Sequence, residues 1–216
     1  MPTKPHRPYR EIVFDGATDS TIDPSGVAVW EKDVDGYSAS LGLYGGRDAL
    51  SYMDYGVWAN EQSDGTVAVG FGVGGLETRP ENIPTTGTAT YDGGVIGIAV
   101  NDGGAYSVLG DVSMTADFAT GEVNGTFTNM FAVSTSAPVA TAWNDITFNA
   151  NIAAGTNEFS GTTAVTGGNV NPGGLDAGAT GDIGGKFFGP GAEEVGGAWT
   201  ISDGTTSAAG SFDAKQ

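Results

Sequence analysis

The chain of 216 residues contains no cysteine. Thiol nucleophiles, cysteine-based zinc sites and iron–sulfur ligation are therefore excluded, and no disulfide can staple the fold. A chain of this length buries enough surface to fold without such staples. Because many exported bacterial proteins dispense with cysteine, this absence leaves the cellular compartment open.

Histidine is almost absent as well, since His6 near the start is the single one. A serine–histidine–aspartate triad and zinc sites built from several imidazoles are therefore not expected. Glycosidase chemistry needs only two carboxylates, but no acidic pair here is flanked by the aromatic residues that sugar binding favours. We expect no enzyme activity, no catalytic residue and no metal site, and a β-barrel hydrolase is a distant alternative.

Basic residues are scarce, with 8 Lys and Arg against 26 Asp and Glu and a formal net charge of −18. Such a surface repels phosphate backbones and anionic lipid headgroups, so nucleic-acid and peripheral membrane binding are not expected. Two interpretations stay open: the acidity keeps a monomer soluble, or it steers a partner with a basic face. No run of eighteen apolar residues exists, so we expect no transmembrane helix.

Glycine is abundant, at 37 residues, and long helix-forming runs are few. Glycine costs about 1 kcal/mol in a helix interior but suits tight turns, so the sequence predicts an all-β fold. Period-two alternation predicts early strands near residues 11–14, 27–30, 37–44, 55–61 and 66–72. We also predict a short helical turn at 47–53. The segment 74–84 is predicted to be a linker, because it contains two prolines and shows no alternation. We therefore divide the chain into a disordered leader (1–10), a β-rich domain (11–79) and a larger β-domain (80–216).

The spacing of strands and glycine turns becomes regular from Thr86 onward. Segments of five to twelve residues between turns such as 91–94 and 101–104 predict an antiparallel meander. Closure into a barrel of about eight strands would remove the free edges of such a sheet. Aromatic residues at alternating positions are predicted to fill the interior: Phe118, Phe127, Phe148, Phe159, Phe187, Trp199 and Phe212.

Four segments of this region resemble a known family. They are residues 84–91 (Pro-Thr-Thr-Gly-Thr-Ala-Thr-Tyr), 117–127 (Asp-Phe-Ala-Thr-Gly-Glu-Val-Asn-Gly-Thr-Phe), 187–199 (Phe-Phe-Gly-Pro-Gly-Ala-Glu-Glu-Val-Gly-Gly-Ala-Trp) and 210–215 (Gly-Ser-Phe-Asp-Ala-Lys). In this order they are similar to the barrel domain of transferrin-binding-protein-B-like surface proteins of Gram-negative bacteria. Residues 55–58 (Tyr-Gly-Val-Trp) resemble a segment of the small β-rich handle domain that packs on that barrel. Independently of the resemblance, Pro190 and the two following glutamates predict a short helix at 190–194.

The resemblance implies a closed up-and-down barrel and a non-enzymatic binding role. We expect a surface-displayed or secreted protein that captures an iron source, which is a host iron or haem protein, haem itself, or a similar ligand. The alternative is an adhesin or structural module with the same barrel and no nutrient role. The partners implied are a host or environmental protein and an outer-membrane translocator or receptor. We expect an extracellular or outer-membrane location, with any signal or lipidation segment outside this sequence.

Candidate binding residues follow from the same reasoning. A haem site needs an axial His, Met, Cys or Tyr, and in the folded part Tyr or Met would have to serve. Exposed aromatic and methionine side chains also suit a protein hot spot. The candidates are Tyr44, Tyr52, Met53 and Tyr55 in the handle and Met130, Phe131 and Trp143 in an expected loop at 129–143. Ordinary packing between handle and barrel is the alternative role.

Overall fold

The structure is a computed structural model that describes residues 20–22, 27–34, 37–45, 49–62, 64–136, 139–166 and 173–216. Within these ranges the chain forms two antiparallel β-sheets, which confirms the all-β fold class. The predicted leader and the strand predicted at 11–14 lie outside the described residues. Between the two sheets, the only regular element in the described ranges is a 3₁₀ turn at Pro80–Asn82.

The first sheet, which we call the handle sheet, has five strands in sequential order. They are β1 (Ser20–Ile22), β2 (Ala28–Val34), β3 (Tyr37–Leu43), β4 (Met53–Glu61) and β5 (Val67–Gly75). β4 and β5 pair over nine residues, from Met53 opposite Gly75 to Glu61 opposite Val67. Alternating Val, Phe and Tyr in these two strands give the sheet one apolar face, which lies on the second sheet.

The second sheet is a closed barrel of eight strands, as predicted. Its strands are β6 (Thr88–Asn101), β7 (Gly104–Asp117), β8 (Glu122–Ser134), β10 (Ile146–Ile152), β11 (Glu158–Val165), β12 (Thr180–Phe188), β13 (Glu194–Ser202) and β14 (Ser207–Lys215). β14 pairs with β6, and β10 pairs with β8. A short strand, β9 (Ala140–Ala142), pairs with the end of β8.

The hairpin of β6 and β7 is longer than the sequence indicates. A turn was predicted at residues 91–94, but β6 runs through them without a break, so this prediction is wrong. Gly93 is needed there for a different reason: a Cβ at this position would collide with the backbone carbonyl of Asp213 on β14. The turn predicted at 101–104 is confirmed, and Asn101 Oδ1 accepts the Gly103 N–H at 2.9 Å.

Aromatic side chains fill the barrel interior. Six of the seven predicted core aromatics are fully buried, and Phe118 is partly buried against Phe187. The ring of Phe127 lies 5.3 Å from that of Phe148 and 5.8 Å from that of Phe212, centroid to centroid. Rings in contact across the axis make the interior a packed core.

Three local predictions differ from the structure. Residues 190–194 form a turn and the start of β13, because Gly189 and Ala192 take positive φ of 88° and 66°. The predicted linker at 74–84 begins inside β5 and is hydrogen-bonded to the barrel rather than free. In the segment predicted as a helical turn, residues 49–52 form a turn and a bend around an irregular residue 50, and Met53 begins β4. Residues 47–48 lie outside the described residues.

Across the described ranges, no helix has the length and apolar content needed to span a bilayer.

Candidate partner-binding surface

Four of the seven candidate residues meet where the handle sheet packs on the barrel. Tyr55 is fully buried and Met53 is 6% exposed, while Tyr44 and Tyr52 are half-buried beside them. The rings of Tyr44 and Tyr55 lie 5.5 Å apart. On the barrel side, this junction cluster is completed by Ile96 and Phe188. The structure therefore places these four side chains in the packing between the two sheets, and their role in ligand binding stays a prediction.

A buried carboxylate fixes the junction. Glu194, at the first position of β13, is 3% exposed. Its Oε1 accepts the backbone N–H of Ser51 at 2.6 Å, and its Oε2 accepts those of Tyr52 and Met53 at 2.9 and 3.0 Å. Hydrogen bonds to a charged acceptor are stronger than neutral ones. Glu194 thus ties the start of β4 to the barrel.

The chain between the two sheets adds a second connection. The Gly189 N–H donates to the Leu76 carbonyl at 2.8 Å, and the Thr78 N–H donates to the Phe187 carbonyl at 2.9 Å. The Thr78 hydroxyl donates to the Gly189 carbonyl at 2.7 Å. These bonds extend the edge of β12 by a short bridge, so the handle sits in a defined position on the barrel.

Charged side chains lie beside this bridge. The Lys186 ammonium contacts Glu77 at 3.0 Å and Glu158 at 3.1 Å. The hydrogen bond from Lys186 lowers the pKa of Glu77. The bonds that Lys186 donates to Glu77 and Glu158 raise the pKa of Lys186. Because these groups are solvent-exposed, each pair contributes little to stability, on the order of 0–1 kcal/mol.

The other three candidates are not in a long loop, so that expectation is wrong. Met130 and Phe131 belong to β8, and Trp143 follows β9. Met130 and Trp143 point into the barrel core, where the Trp143 indole N–H donates to the Gly173 carbonyl at 2.6 Å. Phe131 points outward and is 38% exposed.

Phe131 is nonetheless connected to the junction cluster. It pairs with Leu109 on β7, and Leu109 pairs with Ile96 on β6. Ile96 belongs to the junction cluster and Leu109 packs against it. We call this cross-strand row of Ile96, Leu109 and Phe131 the outer strip. It is apolar, it emerges from beneath the handle, and Phe131 is its exposed end.

Trp58 is an exposed aromatic residue that the sequence analysis did not select. It is 46% exposed, on the face of β4 turned away from the barrel. It pairs with Gly70, and its indole covers that glycine so closely that a Cβ there would collide with the ring. The signal was in the sequence: Tyr55 and Trp58 are three residues apart in one strand, so they must lie on opposite faces.

The Asp203 carboxylate accepts hydrogen bonds in a turn and, within the described ranges, is not part of a cluster of acidic side chains. Asp203 accepts the N–H groups of Asp176, Thr205 and Thr206, and these bonds hold its pKa well below its usual range. In the part of the chain that the structure describes, no group of three or more His, Asp or Glu is arranged to hold a metal ion.

Several solved structures share this architecture. The intact Ap-TbpB, with its N and C lobes, has a TM-score of 0.66 at 18% identity, covering 96% of this chain and 40% of that one. A transferrin binding protein B double mutant from Haemophilus parasuis Hp5 has a TM-score of 0.65 at 21% identity, and the match covers 88% of this chain and 37% of that one. The isotype 1 transferrin binding protein B from serogroup B Neisseria meningitidis has a TM-score of 0.55 at 20% identity, and the match covers 87% of this chain and 34% of that one. At these identities the likeness shows the fold, and the chain spans well under half of each relative.

No curated protein matches this chain by sequence. A family model described as the C-lobe and N-lobe beta barrels of Tf-binding protein B matches residues 83–216, which is more than half of the chain. The matched region is the closed barrel with the segment that enters it. The chain therefore belongs to the family of Tf-binding protein B barrel domains.

Proposed function

We propose that this chain is a non-enzymatic binding protein, displayed on a bacterial surface or secreted, that captures an iron source. Two observations support this class of function: the chain belongs to the Tf-binding protein B barrel family, and solved transferrin binding proteins share its architecture. The ligand that we propose is a host iron-carrying protein, with haem as the small-molecule form of the same role. An outer-membrane translocator or receptor is the proposed partner in delivery, and the working unit is a monomer.

The filled barrel is the observation that carries this proposal. Contacts among the rings of Phe127, Phe148, Trp199 and Phe212 occupy the barrel axis, where a small-barrel carrier would hold its ligand. A ligand must therefore bind on the outside of the molecule. A large folded partner meets this condition, since it needs a surface and not a chamber.

Two exposed aromatic residues mark that surface. Phe131 ends the outer strip, and Trp58 lies on the outer face of the handle. Phe and Trp supply large contact areas at low cost in side-chain entropy, and Trp is enriched among residues that dominate binding energy. Of the seven residues selected from sequence, Phe131 is the one whose side chain is more than one-third exposed and points away from both cores.

Charge supports a protein partner with a basic face. The net charge of −18 gives the molecule as a whole a strongly negative field. Such a field raises the association rate for a basic partner and makes that rate fall with added salt. Haem carries carboxylates, so the same field opposes its approach.

The test is equilibrium binding of the purified chain to iron-loaded transferrins and lactoferrins from several mammals, with haemin titrated separately by visible absorbance. We expect binding to an iron protein that weakens at high salt and at least a tenfold loss in Phe131→Ala or Trp58→Ala. Leu76→Ala, which also removes an exposed apolar side chain, is the matched control and should bind normally. If the chain binds neither an iron protein nor haemin, the proposal is wrong, and an adhesin or structural role is the better account.

A further inference from the structure

The outer edge of β5 offers unpaired backbone groups. β5 pairs with β4 on one side, and none of the other described strands pairs with its opposite side. The Leu76 N–H donates to Tyr52 and the Gln62 N–H donates to Thr66, each at 2.7 Å. Since hydrogen-bonded pairs alternate along an antiparallel ladder, the even-numbered residues of β5 bond to β4. The N–H and C=O groups of Val67, Val69, Phe71 and Val73 therefore point outward.

This edge lacks the usual protection. Edge strands of soluble proteins typically carry lysine, proline or an inward charge, or are covered by another segment. β5 reads Val-Ala-Val-Gly-Phe-Gly-Val-Gly-Gly and contains no charge and no proline. None of its residues is buried, and Val67 is 58% exposed. A bare edge of nine residues is long enough to pair with a complete strand.

An apolar groove lies directly under the same edge. Its volume is about 630 Å³. The side chains of Val67, Val69 and Phe71 form one wall, and the outer surface of the barrel forms the floor. The apolar residues of that floor include Ile98 and Val100 of β6 and Ala209 of β14. A strand added beside β5 would hydrogen-bond to the outward groups and place every second side chain in this groove.

The charges around the groove indicate the chemistry of the added strand. Asp182 lines the groove, and Glu61 lies opposite Val67 at the end of β4. Asp64, in the turn before β5, is held ionised because hydrogen bonds from Thr66 lower its pKa. Among the residues that the structure describes, no lysine or arginine lines the groove. A strand with basic residues at the end that lies beside Val67 would meet these carboxylates.

We propose that the outer edge of β5 binds an extended segment of a partner protein as a sixth strand of the handle sheet. The segment is apolar at alternate positions and carries lysine or arginine at the end that lies beside Val67. This site is separate from the outer strip and Trp58, and it stands whether or not the chain captures an iron source.

The probe is a synthetic peptide of thirteen residues, in which five valines alternate with four threonines between two pairs of lysines. A peptide of the same composition in scrambled order and one flanked by glutamates are its controls. Amide hydrogen exchange followed by NMR reports on the edge directly. We expect the alternating peptide to slow exchange at Val67, Val69, Phe71 and Val73 at least tenfold, and neither control peptide to do so.

Two variants test the position of the peptide. Val67→Lys adds a cation to the groove wall and should weaken binding at least tenfold. Ala68→Lys adds the same charge one residue later, on the opposite face of the strand, and should change binding less than twofold. Equal affinities in the two variants would overturn the proposal.

Exchange in the free chain provides a further criterion. If the four outward amides already exchange slowly without peptide, the edge is occupied by a segment of this chain or, where protection rises with protein concentration, by a second copy. Either result would overturn the proposal of a partner strand.

Discussion

The Glu194 carboxylate accepts the backbone N–H of Met53 at 3.0 Å, and this contact joins two residues that are 141 positions apart in sequence. It connects the first residue of β13 in the barrel to the first residue of β4 in the handle. The same carboxylate also accepts the N–H groups of Ser51 and Tyr52. One acidic side chain therefore holds the start of β4 on the barrel, beside the bridge formed by Leu76 and Thr78.

Glu194→Gln is expected to loosen this junction. An amide has one acceptor oxygen and turns its NH₂ group toward backbone donors, so buried N–H groups lose their partner at about 1–3 kcal/mol. Denaturant unfolding should show a loss of that order, and amide exchange of residues 51–53 should accelerate. Glu193→Gln is the matched control, because the Glu193 carboxylate accepts the N–H of Gly191, which is two residues away in sequence. Equal effects of the two substitutions would contradict this account.

Gly210→Ala is expected to destabilise the barrel. Gly210 lies opposite Trp199, and a Cβ there would lie 2.7 Å from the indole nitrogen and would collide with the Ile96 carbonyl. Because one of these neighbours is backbone, the strain is not relieved by a side-chain rotation, and about 1–3 kcal/mol should be lost. Gly72→Ala, in a strand position with open space, should leave the melting temperature unchanged or slightly higher. A normal melting temperature for Gly210→Ala would argue against the packing described for β14.

Tyr91 is expected to make stability fall in alkaline solution. Burial raises the pKa of its hydroxyl to about 12, and the hydroxyl donates to the Ala192 carbonyl at 2.8 Å. In the unfolded chain a tyrosine ionises near pH 10, so the folded state holds the proton more tightly. The contribution is complete below about pH 10 and is lost as the pH rises from there through about 12. It amounts to about 2–3 kcal/mol.

Urea unfolding at pH 9 and pH 11.5 measures this effect. The wild-type chain should lose more stability between the two pH values than Tyr91→Phe, which has no proton to release. Both chains share all other titrating groups, so the difference isolates Tyr91. Parallel losses in the two chains would show that Tyr91 ionises as freely in the folded state as in the unfolded one.

Features of the fold that depend on neighbouring residues could be predicted from the sequence, whereas features that depend on distant residues could not. The turn at 101–104 was predicted correctly, because its Asn-Asp-Gly-Gly sequence is a local turn signal. The continuous path of β6 was missed, since Gly93 serves a close approach to β14 that no local pattern reports. The role of Glu194 was equally hidden, because its three donors are more than 140 residues away.

In the candidate site, the sequence indicated the type of residue that could bind a partner but did not indicate which of these residues are exposed. Tyr55 and Met53 were selected as exposed aromatic or methionine residues, but the sheet on which they lie turns that face to the barrel. Met130 points inward and Phe131 outward because Asn129, at a positive φ of 52°, interrupts the alternation of β8. Residue type identified the apolar contact groups, whereas the tertiary arrangement decided which of them remain accessible.

The central claim is that eight strands close around a filled core, so that any ligand must bind outside. Closure depends on the pairing of β8 with β10, in which the exposed residues Asn124 and Asn149 lie directly opposite each other. Thr162 on β11 lies opposite Asn149 and is two strand spacings, about 9.5 Å, from Asn124.

The measurement that tests this most directly is disulfide formation in a chain that otherwise lacks cysteine. After mild oxidation, Asn124→Cys with Asn149→Cys should form an intramolecular disulfide, seen as loss of free thiol and faster migration without reductant. Asn124→Cys with Thr162→Cys should keep both thiols, because this separation exceeds the reach of a disulfide. Free thiols in the first pair would mean that β8 and β10 are apart, the barrel is open, and the case for capture on its outer surface fails.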